Sequence, residues 1–168
     1  MSRSVTFKGN PLTLVGDQVE VGQPAPDFAL TNGTLDTVTG DDLKGKPTLI
    51  SVVPSLDTPV CQVQTKRFNE DIAALGDQIN AVTVSLDLPF AQGRFCDGAE
   101  VENITSLSDY KDRSFGNNWG MLIDELKLLA RGVFVLDADG NVVHAETVGE
   151  VVDEPDYDSA LSAIQGQL

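Results

Sequence analysis

The sequence predicts an α/β fold with a β-hairpin extension at its N-terminus, and three stretches carry that prediction. Residues 48–53 are β-branched and aliphatic enough to form a strand buried on both faces. From Pro59 onward, Val60, Val63, Phe68, Ile72 and Leu75 recur at helical spacing up to a stop at Gly76. Residues 79–85 alternate as a second strand, and a helical crossover would make the two strands parallel in a right-handed βαβ unit.

The remaining elements follow in order. Residues 5–7 and 12–15 flank Lys8, Gly9, Asn10 and Pro11 and read as a hairpin; residues 27–30, with the Asn32-Gly33 turn, begin a second extended pair. Pro24 and Pro26 disfavour helix, and residues 41–47 form a loop or a single turn before the buried strand. Pro89 suits the first turn of a short helix running through Cys96 and closed by Gly98, with a strand over 103–107 beyond it. Residues 114–120 are turn-rich, and 121–129 read as a loop with a helical turn. Residues 132–137 and 142–147 make a hairpin across Asp139-Gly140, and a helix over 156–164 closes the chain. The order βαβ, helix, ββ, helix is that of a thioredoxin fold, here expected as one domain spanning 1–168.

A chain of 168 residues fits one domain and can bury about 70% of the surface its unfolded form would expose. Eleven Lys and Arg against 26 Asp and Glu give a formal charge of −15, which argues against nucleic acid or an anionic membrane as a partner. The first residues lack the apolar core of a signal peptide, and no run of about 18 apolar residues occurs, so a cytoplasmic protein is expected. In such a setting two cysteines are reactive or inert rather than a structural staple. They do not form C-x-x-C, and with one His they supply too few soft ligands for a structural zinc site. No G-x-G-x-x-G or phosphate loop is present, so no bound cofactor is expected. His144 reads as an ordinary strand residue, and Asp137 and Asp139 as turn formers.

Between the first buried strand and its helix lies the candidate chemistry. Thr58 is placed to cap the helix with Pro59 at the first helical position, so Cys61 falls in the first turn. Backbone N–H groups there lack intrahelical acceptors and favour an anion, and the thiolate is the nucleophilic form of cysteine. On position alone a buried, inert small hydrophobe fits equally well.

Pro54-x-x-x-Thr58-x-x-Cys61 resembles the active-site motif of the peroxiredoxins, thiol enzymes that reduce hydroperoxides. With Ser85, Asp87, Leu88, Pro89 and Phe90 leading to Arg94, Phe95 and Cys96, the chain is similar to the bacterial thiol peroxidase branch of that family, from about Val5 to the end. The resemblance implies that Cys61 is the peroxidatic nucleophile. It further implies that Thr58 and Arg131 stabilise the reacting oxygens and that Pro54 shields the sulfur. Cys96 would be the resolving thiol of an intrachain Cys61–Cys96 disulfide. It also implies thioredoxin as electron donor, a hydroperoxide as substrate and a homodimer built around the active-site face. Without it, Arg131 is a surface charge and Cys96 an inert thiol beside Phe95. Two other functions fit the thiols: a redox sensor whose partner affinity changes on oxidation, and a disulfide exchange catalyst, which the missing C-x-x-C disfavours. Phe90, Phe95, Trp119, Met121 and Leu122 are candidates for an apolar vestibule or for core.

Overall fold

The computed structural model describes residues 3–168. β1 (Arg3–Phe7) and β2 (Asn10–Val15) pair with Val5 opposite Leu12. Lys8 and Gly9 between them both have positive φ, 50° and 83°, the backbone that a two-residue hairpin turn requires. β3 (Ala29–Thr31) and β4 (Thr37–Thr39) form the second hairpin, and Asn32 Oδ1 accepts from the Thr34 and Asp36 amides to shape its turn. A single 3₁₀ turn, Gly40–Leu43, leads to β5 (Thr48–Val52). There follow α1 (Pro59–Asp71), β6 (Asn80–Ser85), α2 (Pro89–Ala99), β7 (Thr105–Ser108) and α3 (Ser114–Asn118). β8 (Leu122–Ile123), β9 (Leu128–Leu129), β10 (Gly132–Leu136), β11 (Val142–Thr147) and α4 (Tyr157–Gln165) complete the chain.

The main sheet has the order β11-β10-β5-β6-β7-β3-β4. β5, β6 and β7 run parallel, as the crossovers require, whereas β10 lies antiparallel to β5 with Gly132 opposite Val52. That register delivers the residue before Gly132 to the carboxyl end of β5, where α1 begins. A smaller sheet, β1-β2-β8-β9, joins the N-terminal hairpin to the middle of the chain.

Every residue of β5 is buried because its alternate side chains meet two different layers. Leu49, with Ala81, Val133 and Val135, packs on Phe68 of α1, on Ile72 just beyond its end, and on Tyr157, Ala160 and Ile164 of α4. Ile50 and Val52 face the opposite layer, where they share a cluster with Phe134, Trp119, Phe115 and with Val5 and Leu14 of the small sheet. Phe115 stacks on Trp119 with centroids 4.7 Å apart, and Phe134 meets the indole edge-on at 5.1 Å. Each such fully buried apolar side chain contributes roughly 1.5–3 kcal/mol by area. Among the described residues, no helix is long and apolar enough to cross a membrane.

Three elements differ from the sequence reading. α1 ends at Asp71 rather than near Gly76; residues 73–78 are 3₁₀, and Gly76 (φ 51°, ψ −128°) is incompatible with an α-helix. Its buried face is Cys61, Gln64, Thr65 and Phe68, while Val63 is 50% exposed. α2 passes through Gly98 to Ala99, and Glu100 takes the left-handed capping position (φ 57°) expected of a glycine. Residues 121–129 contain a β-hairpin, not a helical turn: Ile123 pairs with Leu14, and Lys127 (φ 53°) closes the turn.

Asp109, at the end of β7, is buried and accepts from the Phe115 and Gly116 amides at the start of α3. Burial outweighs those hydrogen bonds and raises its pKa from 3.8 to about 6. A carboxyl whose folded pKa is raised holds its proton more tightly in the native state, so its contribution to stability falls as pH rises from about 4 to about 6. Asp109→Asn is expected to remove this decline. The stability difference between variant and wild type in chemical denaturation should move by roughly 3 kcal/mol in the variant's favour across that window.

Candidate active site

Cys61 sits at the junction that the sheet register prepares. Thr58 is extended (φ −134°, ψ 150°) and Pro59 opens α1 with its fixed φ. The first backbone bond of the helix runs from Gln62 N to Thr58 O at 3.0 Å, so the Cys61 N–H lies ahead of the helical ladder. The Cys61 side chain is fully buried, packed with Val53, Leu56 and Phe95. Pro54, two residues beyond the end of β5, is buried where the chain bends toward the Cys61 loop.

Arg131 reaches this sulfur from the other side. It is 2% exposed, and its guanidinium donates from Nη2 to Cys61 Sγ at 3.3 Å, from Nη1 to Gln64 Oε1 at 2.9 Å and from Nε to Val151 O at 2.8 Å. No carboxylate among the described residues forms a salt bridge with it. A permanent, uncancelled positive charge therefore faces the thiol, in surroundings where charge interactions are stronger than in water. Negative charge developing on the sulfur, or on an oxygen beside it, is compensated without reorganisation.

Thr58 was expected to cap α1 and to offer its hydroxyl to the reacting oxygens. Its backbone holds the capping position, but the side chain caps nothing: Oγ1 donates to Ser55 O at 2.9 Å. With its one proton engaged, the hydroxyl has only its lone pairs left for a further partner and could serve there as an acceptor, not a donor.

Gln64 is the site residue that sequence reasoning missed. It is fully buried on the helix face where an apolar residue was anticipated, and it donates from Nε2 to Ser51 Oγ at 2.8 Å while holding Arg131 through Oε1. A glutamine three residues after the cysteine, between Val60 and Phe68 at four-residue spacing, was the available signal. Gln64→Leu is expected to leave Arg131 Nη1 buried without an acceptor, which costs about 1–3 kcal/mol of stability and slows oxidation of Cys61 by about tenfold. Thermal denaturation and stopped-flow oxidation measure the two effects.

Cys96 lies on α2, half-buried, with Sγ 2.9 Å from Ser106 Oγ on β7. Burial pushes its thiol pKa up, and the Ser106 hydroxyl offsets part of that shift. Both cysteines are free thiols, and they belong to different packing clusters. Of the vestibule candidates, Trp119, Met121 and Leu122 are core. Phe90, 70% exposed, and Phe95 instead line a groove of about 810 Å³ between α1 and α2, together with Leu56, Lys66, Asp87 and Arg94.

The Redoxin family profile matches residues 20–161. The fold superposes on a peroxiredoxin-like protein from Aquifex aeolicus with a TM-score of 0.92 at 38% identity, covering 100% of this chain and 99% of that one. It also matches a thiol peroxidase from Chromobacterium violaceum at 0.88 and 20% identity, over 97% and 95% of the two chains. A thioredoxin-like fold with a helix-opening cysteine under a buried guanidinium is the architecture of a peroxiredoxin. The sequence is 52% identical to the thiol peroxidase of Bacillus subtilis (strain 168) over 159 residues, 95% of each chain. It is also 52% identical to that of Halalkalibacterium halodurans over 165 residues, 98% of this chain and 99% of the other. The chain belongs to the thiol peroxidases, and it is a peroxidase.

Proposed function

We propose that the chain reduces hydrogen peroxide and organic hydroperoxides through a Cys61 sulfenic acid and an intrachain Cys61–Cys96 disulfide. The observation that carries this reading is the contact of Arg131 Nη2 with the buried Cys61 Sγ at 3.3 Å. The thiolate attacks the distal oxygen of the hydroperoxide, forming S–O as O–O breaks; sulfur is oxidised, and the leaving oxygen takes a proton to become alcohol or water. Arg131 and the Cys61 N–H neutralise the charge moving between the oxygens, Thr58 Oγ1 accepts from the hydroperoxide O–H, and Pro54 keeps water off the sulfur.

Cys96 then attacks the sulfenic sulfur, S–S forms, and water leaves with the thiol proton. A thioredoxin-class dithiol reduces the disulfide and is itself oxidised. The exposed Leu88 and Phe90 lining the groove support a homodimer formed on this face, which sedimentation at graded concentrations tests. One equivalent of an organic hydroperoxide added to the reduced protein should yield a single Cys61–Cys96 disulfide by peptide mapping and the loss of two hydrogens by intact mass. Thioredoxin and its reductase should then sustain many turnovers. Two surviving thiols would overturn the mechanism, and a single slow turnover would favour a redox sensor.

A further inference from the structure

The carboxylate of Asp87 joins the two segments that carry the thiols. Its Oδ1 accepts from Ser55 Oγ at 2.7 Å; its Oδ2 accepts from the Leu56 amide at 2.7 Å and from Ser85 Oγ at 2.8 Å. Ser85 has one hydroxyl proton, and giving it to Asp87 leaves its oxygen to accept from Nε2 of the buried Gln92 at 3.0 Å. Gln92 lies on α2 one helical turn before Cys96, and its other amide hydrogen goes to Leu107 O at 2.9 Å. On the other arm, Ser55 O accepts from Thr58 Oγ1 at 2.9 Å. A continuous path thus runs from α2 through Ser85, Asp87 and Ser55 to the loop that presents Cys61.

We propose that Asp87 is a positioning residue that latches both cysteine segments in the peroxide-reactive arrangement and so slows formation of the disulfide. This rests on the two-cysteine reading above. For the S–S bond to form, Cys61 leaves Arg131 and its packing with Leu56 and Phe95, and Cys96 leaves Ser106. Leu56 is itself tied to Asp87, so the Cys61 loop cannot move without loosening this carboxylate, and α2 cannot move without breaking its Gln92–Ser85 link to it. The α2 side is the weaker arm: Gln92 Oε1 is buried with no partner, and it gains a water when α2 opens.

The sulfenic acid has two fates. Cys96 resolves it to the disulfide with loss of water, or a second hydroperoxide oxidises it to sulfinic acid and is reduced to an alcohol. A tighter latch favours the second fate. Rapid-quench mass spectrometry of the full chain, with cumene hydroperoxide as the probe, separates the steps. Asp87→Asn keeps the shape but loses one acceptor oxygen and the charge. It should speed conversion of sulfenic acid to disulfide by about tenfold, the scale of one charge-assisted hydrogen bond, and raise the hydroperoxide concentration that gives half sulfinic acid by a similar factor. The first oxidation should slow, because Thr58 and Cys61 are held less firmly.

Ser55→Ala, which cuts only the loop arm, should shift the partition in the same direction and carries the test if Asp87→Asn does not fold. A merely structural Asp87 would lower thermal stability and leave the partition between disulfide and sulfinic acid unmoved, and that result would overturn the latch. If wild type forms no Cys61–Cys96 disulfide, the two-cysteine reading fails and the latch with it. A wild-type disulfide with an unchanged partition in the variants sinks the latch alone.

Discussion

Cys61→Ser is expected to abolish hydroperoxide reduction, while Cys96→Ser consumes one equivalent and then stalls with thioredoxin as reductant. The two thiols differ in surroundings, and the proposed roles predict that difference. Cys61 is fully buried beneath a guanidinium that no carboxylate neutralises; Cys96 has no cation bonded to it, only Ser106, and burial holds its proton on. An attacking sulfur benefits from a fixed positive charge that stabilises the charge transferred to the leaving oxygen. Serine at position 61 retains nearly the same volume and a hydrogen-bonding atom for Arg131 but is a far weaker nucleophile at neutral pH. The fold should therefore persist, which circular dichroism verifies, while peroxide consumption disappears. In Cys96→Ser the sulfenic acid forms but finds no thiol partner, so a sulfenic-acid trap should label Cys61 in nearly every molecule. Rapid turnover by Cys61→Ser would show that the nucleophile lies elsewhere.

The central βαβ unit and both outer hairpins were legible because their signals are local: a strand buried on both faces is continuously apolar, and Asn-Gly or Asp-Gly punctuates a turn. Residues 121–129 were misread because Leu122, Leu126 and Leu129 stand at helical spacing, whereas the deciding contact, Ile123 against Leu14, is more than a hundred residues away in sequence. The helix face of α1 was misread because two of its buried positions are polar. Gln64 and Thr65 occupy buried positions that packing alone would give to apolar residues, and Val63, which fits the apolar pattern, is half exposed. At the site, Cys61, Thr58 and Pro54 are close in sequence and could be grouped from spacing. Arg131 could be grouped only by resemblance, since it meets Cys61 through the antiparallel pairing of β10 with β5. Asp87 was visible only as part of a motif, because its role depends on which donors converge on it.

Arg131→Lys is expected to slow the oxidation of Cys61 by roughly 100- to 1,000-fold, the range found when a preorganised donor to a developing oxyanion is removed. The guanidinium uses three separate nitrogens at once, on Val151 O, Gln64 Oε1 and Cys61 Sγ. An ammonium on a flexible stem has one nitrogen and cannot satisfy all three directions. The charge survives in Arg131→Lys and the aim does not, so the loss should appear in the second-order rate constant with hydroperoxide measured by stopped flow. Arg131→Met removes the charge as well as the aim. It relieves the desolvation penalty of a buried cation but leaves Gln64 Oε1 and Val151 O without their donor, so its effects on stability oppose each other and the rate is the readout. Arg131→Met should therefore be at least as slow as Arg131→Lys, whereas Gln64→Leu, which keeps the guanidinium but loses its support, slows the reaction by only about tenfold. Wild-type rates in Arg131→Lys would sink the assignment. So would a wild-type rate in Arg131→Met, for then neither the charge nor its aim would serve the sulfur it faces.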